Sequence, residues 1–245
     1  MKFKTDYSYQ QHKAAIYYKS LFSWSGGKDS ALALYYALQD KSLQIKELLV
    51  NINKEALRVS MHGLRLRLAQ KQARAIGMPL NVLGLSSEIT MEDYNSLMHG
   101  KMRKAKKQGI TRVIFGDICL DDLKSYRERQ LAKCGIKGHY PLWKKNTLTL
   151  VKEFIQLGFK AILIAVDASK LDKSFVGRAI DHNLLSDLPP SVDPCGENGE
   201  FHSFVFEGPI FKKPISFKKG EIVSKTYKLS AKSNKNFVYW FQDLY

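Results

Sequence analysis

Cysteine is scarce in this sequence. The chain has three in 245 residues, Cys119, Cys134 and Cys195, and an odd count without a Cys-x-x-Cys spacing excludes a disulfide framework and a zinc or iron–sulfur ligand set. Reduced thiols are expected. Long apolar runs are absent too: none approaches the roughly 18–20 residues of a membrane span, and residues 1–7 lack the apolar centre of a signal peptide, so a cytoplasmic protein without a membrane partner is expected. Acidic residues are few, 23 against 39 lysines and arginines, for a formal charge of +16. That balance favours polyanionic partners such as ATP, nucleic acid or an acidic protein surface without choosing among them. The lysines gather at 101–107, 144–145, 212–213 and 218–219, a pattern equally expected of a solvated lysine-rich surface.

What the chain does have is Ser25-Gly26-Gly27-Lys28-Asp29-Ser30, directly behind an apolar run at 15–24 and ahead of a helical pattern at 30–39. Two adjacent glycines permit backbone conformations that a Cβ forbids and let main-chain N–H groups approach an anion. Ser30 reads as the N-cap of the helix, whose positive dipole end then faces the turn. Strand, turn and helix N-terminus together make a phosphate site. The spacing fits neither the P-loop nor the dinucleotide fingerprint. It matches Ser-Gly-Gly-x-Asp-Ser and so resembles the pyrophosphate loop of N-type ATP pyrophosphatases, enzymes that cleave ATP between the α and β phosphates.

Strand-like segments at 15–24, 44–52, 80–85 and 112–116 alternate with helical ones at 30–39, 63–76, 91–108 and 121–134, which predicts right-handed crossovers and a parallel sheet. Loops at the carboxyl ends of its strands would then share one rim, bringing together Ser25, the residues after Ile52, and Gly116 with Asp117. Beyond residue 135 come a helix at 147–157, an apolar strand at 160–166, and alternating stretches at 201–206, 222–229 and 237–241. The fold class expected is α/β: a loose arm at 1–13, a nucleotide domain at 14–135, and a smaller α+β domain at 136–245.

Three further clusters carry chemistry. His62 follows the second strand, where it would face the rim, although a lone histidine is as often a packed residue. Asp117 leaves the fourth strand at its carboxyl end, positioned for a metal or substrate, with Arg127 one to two helical turns on and able to pair with an anion. Residues 193–203 crowd three carboxylates, an amide, an imidazole and a thiol into one loop, with Glu197, Glu200 and His202 as candidate proton acceptors.

With Gly116-Asp117-Ile118, Pro141-Leu142-Trp143 and Cys195-Gly196-Glu197-Asn198-Gly199-Glu200-Phe201 added to the glycine turn, the sequence resembles the diphthine-ammonia ligase family over nearly its whole length past residue 14. The resemblance implies a HUP-type, Rossmann-like domain followed by a small α+β domain. It also implies ATP, Mg²⁺ and ammonia as participants, and amidation of a diphthine carboxylate on a translation elongation factor, with release of AMP and pyrophosphate. On that basis Ser25, Gly26, Gly27, Lys28, Asp29, Ser30, His62 and Gly116 would hold the nucleotide and Asp29 the metal. Lys28, Asp29, Asp117, Glu197, Glu200 and His202 would carry the chemistry. Asp117, Asn198 and His202 depart from the pattern of archaeal and eukaryotic members and resemble the bacterial branch, which does not make diphthamide, so the acceptor carboxylate stays open. A tRNA-modifying enzyme with the same loop, thiolating through Cys119 and Cys195 or needing no cysteine, and a non-catalytic nucleotide-binding module are the alternatives.

Overall fold

The structure is a computed structural model that describes residues 17–228 and 236–245. The arm expected at 1–13 lies outside the described residues. The apolar run behind the glycine turn forms β1 (Tyr18–Ser23), and its Leu21 and Phe22 are almost wholly buried. The chain then alternates through α1 (Lys28–Gln39), β2 (Leu43–Asn53), the short β3 (Arg58–Val59), α2 (Leu66–Ile76), β4 (Leu80–Leu85), α3 (Met91–Lys107), β5 (Arg112–Ile114), α4 (Asp121–Ala132) and β6 (Lys137–His139).

These strands make the expected parallel-dominated sheet. β1 lies between β2 and β5, β4 pairs with the outer side of β2, β6 pairs with β5, and β3 alone runs antiparallel. The sheet thus includes residues 137–139, beyond the expected division at 135. The chain builds outward from β1 on one side and then crosses to the other, so a crevice opens where β1 and β5 end, the usual ligand position in such sheets. Ser25 and Gly116 stand there.

A second, smaller sheet follows α5 (Thr147–Gln156). Its order is β8 (Phe201–Glu207), β7 (Lys160–Asp167), β10 (Asn236–Leu244) and β9 (Lys219–Lys228), with every pairing antiparallel. β7 reads as an unbroken apolar run because it is central and covered on both faces. One apolar core runs through both halves, joining Phe22, Leu34 and Ile114 to Phe154, Leu163 and Val205.

The beginning of α1 differs from expectation. The helix starts at Lys28 with Gly27 as its N-cap, not at Ser30. The carbonyl of Gly27 already accepts the Ala31 N–H, so the helical ladder begins at the glycine. Ser30 falls inside the first turn, and its hydroxyl reaches back to accept the Ser25 N–H at 3.2 Å.

Candidate active site

The turn at 25–30 is fixed by partners from distant parts of the chain. Gly26 sits at φ +83°, a left-handed conformation, and a Cβ there would lie 2.7 Å from Gln72 Oε1 and 2.8 Å from Leu64 Cδ2. Its carbonyl accepts from the Val205 N–H of β8 and from Gln72 Nε2. Gln72 is fully buried; its other contacts are the Val205 carbonyl, to which it donates, and the Trp24 indole N–H, which donates to it. This one amide therefore ties the end of β1 to the second sheet. The sequence held a signal for it, a glutamine four residues from Leu68 and from Ile76 on the apolar stripe of α2, a position at which a polar group needs buried partners.

Three main-chain N–H groups of the turn meet hydroxyls: Ser25 donates to Ser30 Oγ, Gly27 to Ser25 Oγ, and Lys28 to Ser203 Oγ at 3.0 Å. Ser203, on β8, is a second residue that sequence reasoning left without a role. Gly116 admits the turn for a steric reason, since a Cβ there would come within 3.0 Å of the Asp29 carbonyl and the Ser30 nitrogen.

Lys28 is buried, and its ammonium lies 2.7 Å from both oxygens of Asp29 and against the carbonyl of Cys195. Burial opposes its charge, but Asp29 and Glu197 more than offset that, so the group stays firmly protonated. Lys28 thus bolts the acidic loop to the glycine turn. The loop at residues 193–203 faces the glycine turn and Asp117: a cleft of about 500 Å³ is lined by Ser25, Lys28, Asp29, Asp117, Glu197 and His202.

Within the loop most polar groups serve one another. Asp193 accepts the N–H groups of Cys195 and Glu197 and the Thr147 hydroxyl. Glu200, expected to meet the substrate, is 2% exposed and does not line the cleft. Its carboxylate accepts from the Asp193 and Asn198 N–H groups and the Asn198 side chain; burial works against the charge, but these bonds hold its pKa below the ordinary value. Glu197 is the carboxylate left facing the cleft. Burial and the nearby Asp29 push it up to about 7, against the pull of Lys28.

Asp117 is raised by burial despite Arg127, whose Nε lies 2.9 Å from Oδ2, and Asp29 adds to the rise. His62 and His202 meet beside the turn, with ring centroids 4.5 Å apart. The cysteines are not paired. Cys195 Sγ donates to the Thr147 carbonyl, and burial pushes its thiol up to about 12, whereas exposed Cys119 faces Glu197.

A second cavity of about 390 Å³ adjoins the first, sharing Ser25, His62 and Phe115 and lined by Trp24, Asn51, Leu85, Met98 and Met102. Asn51 Oδ1 is buried there without a partner. Among the described residues, no three His, Cys, Asp or Glu side chains converge as a metal site, and no helix is long and apolar enough to cross a membrane.

Residues 18–138 match the family model described as the Diphthamide synthase N-terminal domain, and residues 146–234 match that of the Diphthamide synthase C-terminal domain. Diphthine–ammonia ligase of Homo sapiens is 29% identical over 138 residues, 54% of this chain and 51% of that protein. The Danio rerio protein of the same name is 30% identical over 163 residues, 58% of this chain and 62% of its own length. That of Schizosaccharomyces pombe is 32% identical over 100 residues, 39% of this chain and 16% of its own. The chain thus spans about half the length of the vertebrate relatives and less of the yeast one.

Proposed function

Because the chain belongs to the diphthamide synthase family, we propose that it is an ATP-dependent amide ligase, adenylating an acceptor carboxylate with release of pyrophosphate and then exchanging AMP for ammonia. One observation carries this: the glycine turn of the first sheet and the acidic loop leading into the second line a single cleft, joined through Lys28.

The nucleoside occupies the smaller cavity, where Trp24, Met98 and Phe115 offer an apolar lining and the free Asn51 oxygen accepts from an exocyclic amine. The phosphates lie over the turn. There phosphate oxygens replace the serine hydroxyls as acceptors for the N–H groups of Ser25, Gly27 and Lys28. A magnesium ion is ordinarily held by one or two carboxylates together with phosphates and water. Asp29 fits that use as a single carboxylate, once the Lys28 ammonium turns from it toward the phosphates. Bound there with ATP, the ion would neutralise phosphate charge.

A carboxylate is a poor electrophile because its leaving group is oxide, and adenylation supplies AMP instead. Glu197, titrating near neutrality, accepts the proton whose loss turns ammonium into ammonia; the ammonia lone pair then attacks the acyl carbon, the C–N bond forms while the C–O bond to AMP breaks, and the second proton passes from the new amide to water. Asp117, steadied by Arg127, shapes the far wall, and Glu200 positions the loop without touching substrate. Diphthine on a protein, as in the name of the relatives, is one acceptor of the required kind. Asp117 and His202, where this chain departs from that pattern, both line the cleft and therefore bear on the choice.

The test is product identity. The protein is incubated with ATP, Mg²⁺, ammonium and fractionated cell extract, and the nucleotide products are resolved. AMP and pyrophosphate in the presence of one fraction are expected; ADP and phosphate as the authentic products would overturn the assignment.

A further inference from the structure

His62 and His202 reach the same point from different halves of the fold, one from the turn after β3 and the other from the start of β8. Their rings are tilted by 38°. The His62 ring overhangs the glycine turn, its Cε1 lying 3.1 Å from where a Cβ on Gly27 would stand. One of its nitrogens meets the Ser203 carbonyl. The other, Nδ1, is buried with no partner, an arrangement that is costly unless a ligand or a proton completes it.

The charged group facing both rings is Lys28, from the start of α1. Around the rest of the cleft stand Asp29, Asp117 with Arg127, and Glu197. Burial first, then the neighbouring imidazole and Lys28, push His62 well below the ordinary histidine range, while burial and Lys28 bring His202 to about 4. Both rings are therefore neutral when the cleft holds no anion. Lys28 takes up no further proton when an anion arrives, since Asp29 beside it already holds it charged. The imidazoles keep that capacity, because several negative charges over the turn reverse the field they sit in.

Resting on the reading that the glycine turn binds phosphate, we propose that His62 and His202 form one proton-accepting pair, so that seating a phosphate chain draws a proton from solvent onto the adjoining imidazoles. The proton leaves a buffer acid and enters the lone pair of a ring nitrogen, Nδ1 in the case of His62. No other bond changes. That nitrogen then becomes a donor to a phosphate oxygen. Two imidazolium ions 4.5 Å apart would repel, so the pair takes up about one proton and shares it.

Inorganic pyrophosphate is titrated calorimetrically into the full chain near neutral pH, in buffers of different ionisation enthalpy. Uptake of about one proton per pyrophosphate is expected beyond that seen in a variant carrying both His62→Gln and His202→Gln, which reports the ligand's own titration as the control. The affinity of the unaltered chain should fall by about tenfold per pH unit more steeply than that of this variant. Imidazole proton resonances of the unaltered chain give a second readout independent of variant folding, since two histidines should each move part of the way to the protonated position, one proton between them, as pyrophosphate saturates. Proton uptake unchanged in the double variant, or resonances that stay at the neutral position, would overturn the pair while leaving the phosphate site standing. No binding of pyrophosphate by the unaltered chain would overturn both.

Discussion

In the turn at residues 25–30 polar groups reach outward to partners that the fold brings from elsewhere, whereas in the loop at residues 193–200 they turn on one another. The Gly26 carbonyl depends on Val205 and Gln72, and the Lys28 N–H on Ser203. Asp193, Asn198 and Glu200, by contrast, lock their own loop and leave Glu197 free. The first arrangement leaves main chain at the surface of the cleft and is held there from outside. The second leaves one side chain there, and its neighbours hold it. A carboxylate in a crowded loop is therefore not by itself one that faces the cleft: Glu197 and Glu200 are three residues apart, with opposite pKa shifts and opposite surroundings.

The most severe way to break the turn is at its remote partner. Gln72→Leu strands the Val205 carbonyl and the Trp24 N–H in the core and leaves the Gly26 carbonyl with the Val205 N–H alone, so a loss of about 2–6 kcal/mol in urea unfolding is expected. A loss below about 1 kcal/mol would mean that the turn stands without outside help. Next, Asp29→Ala should lower pyrophosphate release by about 10²–10³-fold. Because Lys28 is buried beside it, the same change should also cost about 1–3 kcal/mol of stability, which calorimetric melting would detect.

In the loop, Glu200→Gln should cost about 1–2 kcal/mol, since an amide cannot accept from every donor around it, while ATP affinity stays near that of the unaltered chain. Glu197→Gln should lower the ammonia-dependent rate with no such cost. The acid Glu197 has its folded pKa raised from 4.5 to about 7, so the native state holds a proton that the unfolded chain has released. Its contribution therefore makes stability fall as pH rises from about 4.5 to 7, with a slope below the roughly 1.4 kcal/mol per unit of a fully buried group. Unfolding curves across that window should flatten in Glu197→Gln and keep their slope in Glu200→Gln. The smallest effect is expected of Cys119→Ser, within about 0.5 kcal/mol and with most activity kept; loss of turnover without loss of nucleotide binding would return sulfur transfer to consideration.

The glycine turn, the strand and helix rhythm and the crowded loop were legible in the sequence because each depends on local rules: positive φ at glycine, apolar periods of 2 and 3.6, and polar groups clustered where no core can form. Leu80–Leu85 forms a strand over the predicted residues, and most other elements differ only at their ends. Short β3 and β6 were missed because two or three residues carry no period. Ser30 was given the cap that Gly27 provides, since capping propensity ranks serine ahead of glycine while the tertiary bond of Ser25 claims the hydroxyl. Sequence alone thus determined the family, the parallel-dominated sheet and the rim on which the glycine turn lies. Only the tertiary structure decided which acid faces the cleft and which is spent, that two histidines 140 positions apart meet, one of them over Gly27, and that Gln72 holds the turn. Those outcomes depend on burial and on distances between segments remote in the chain, and the shift of a carboxyl or an imidazole follows from what surrounds it rather than from its place in the sequence.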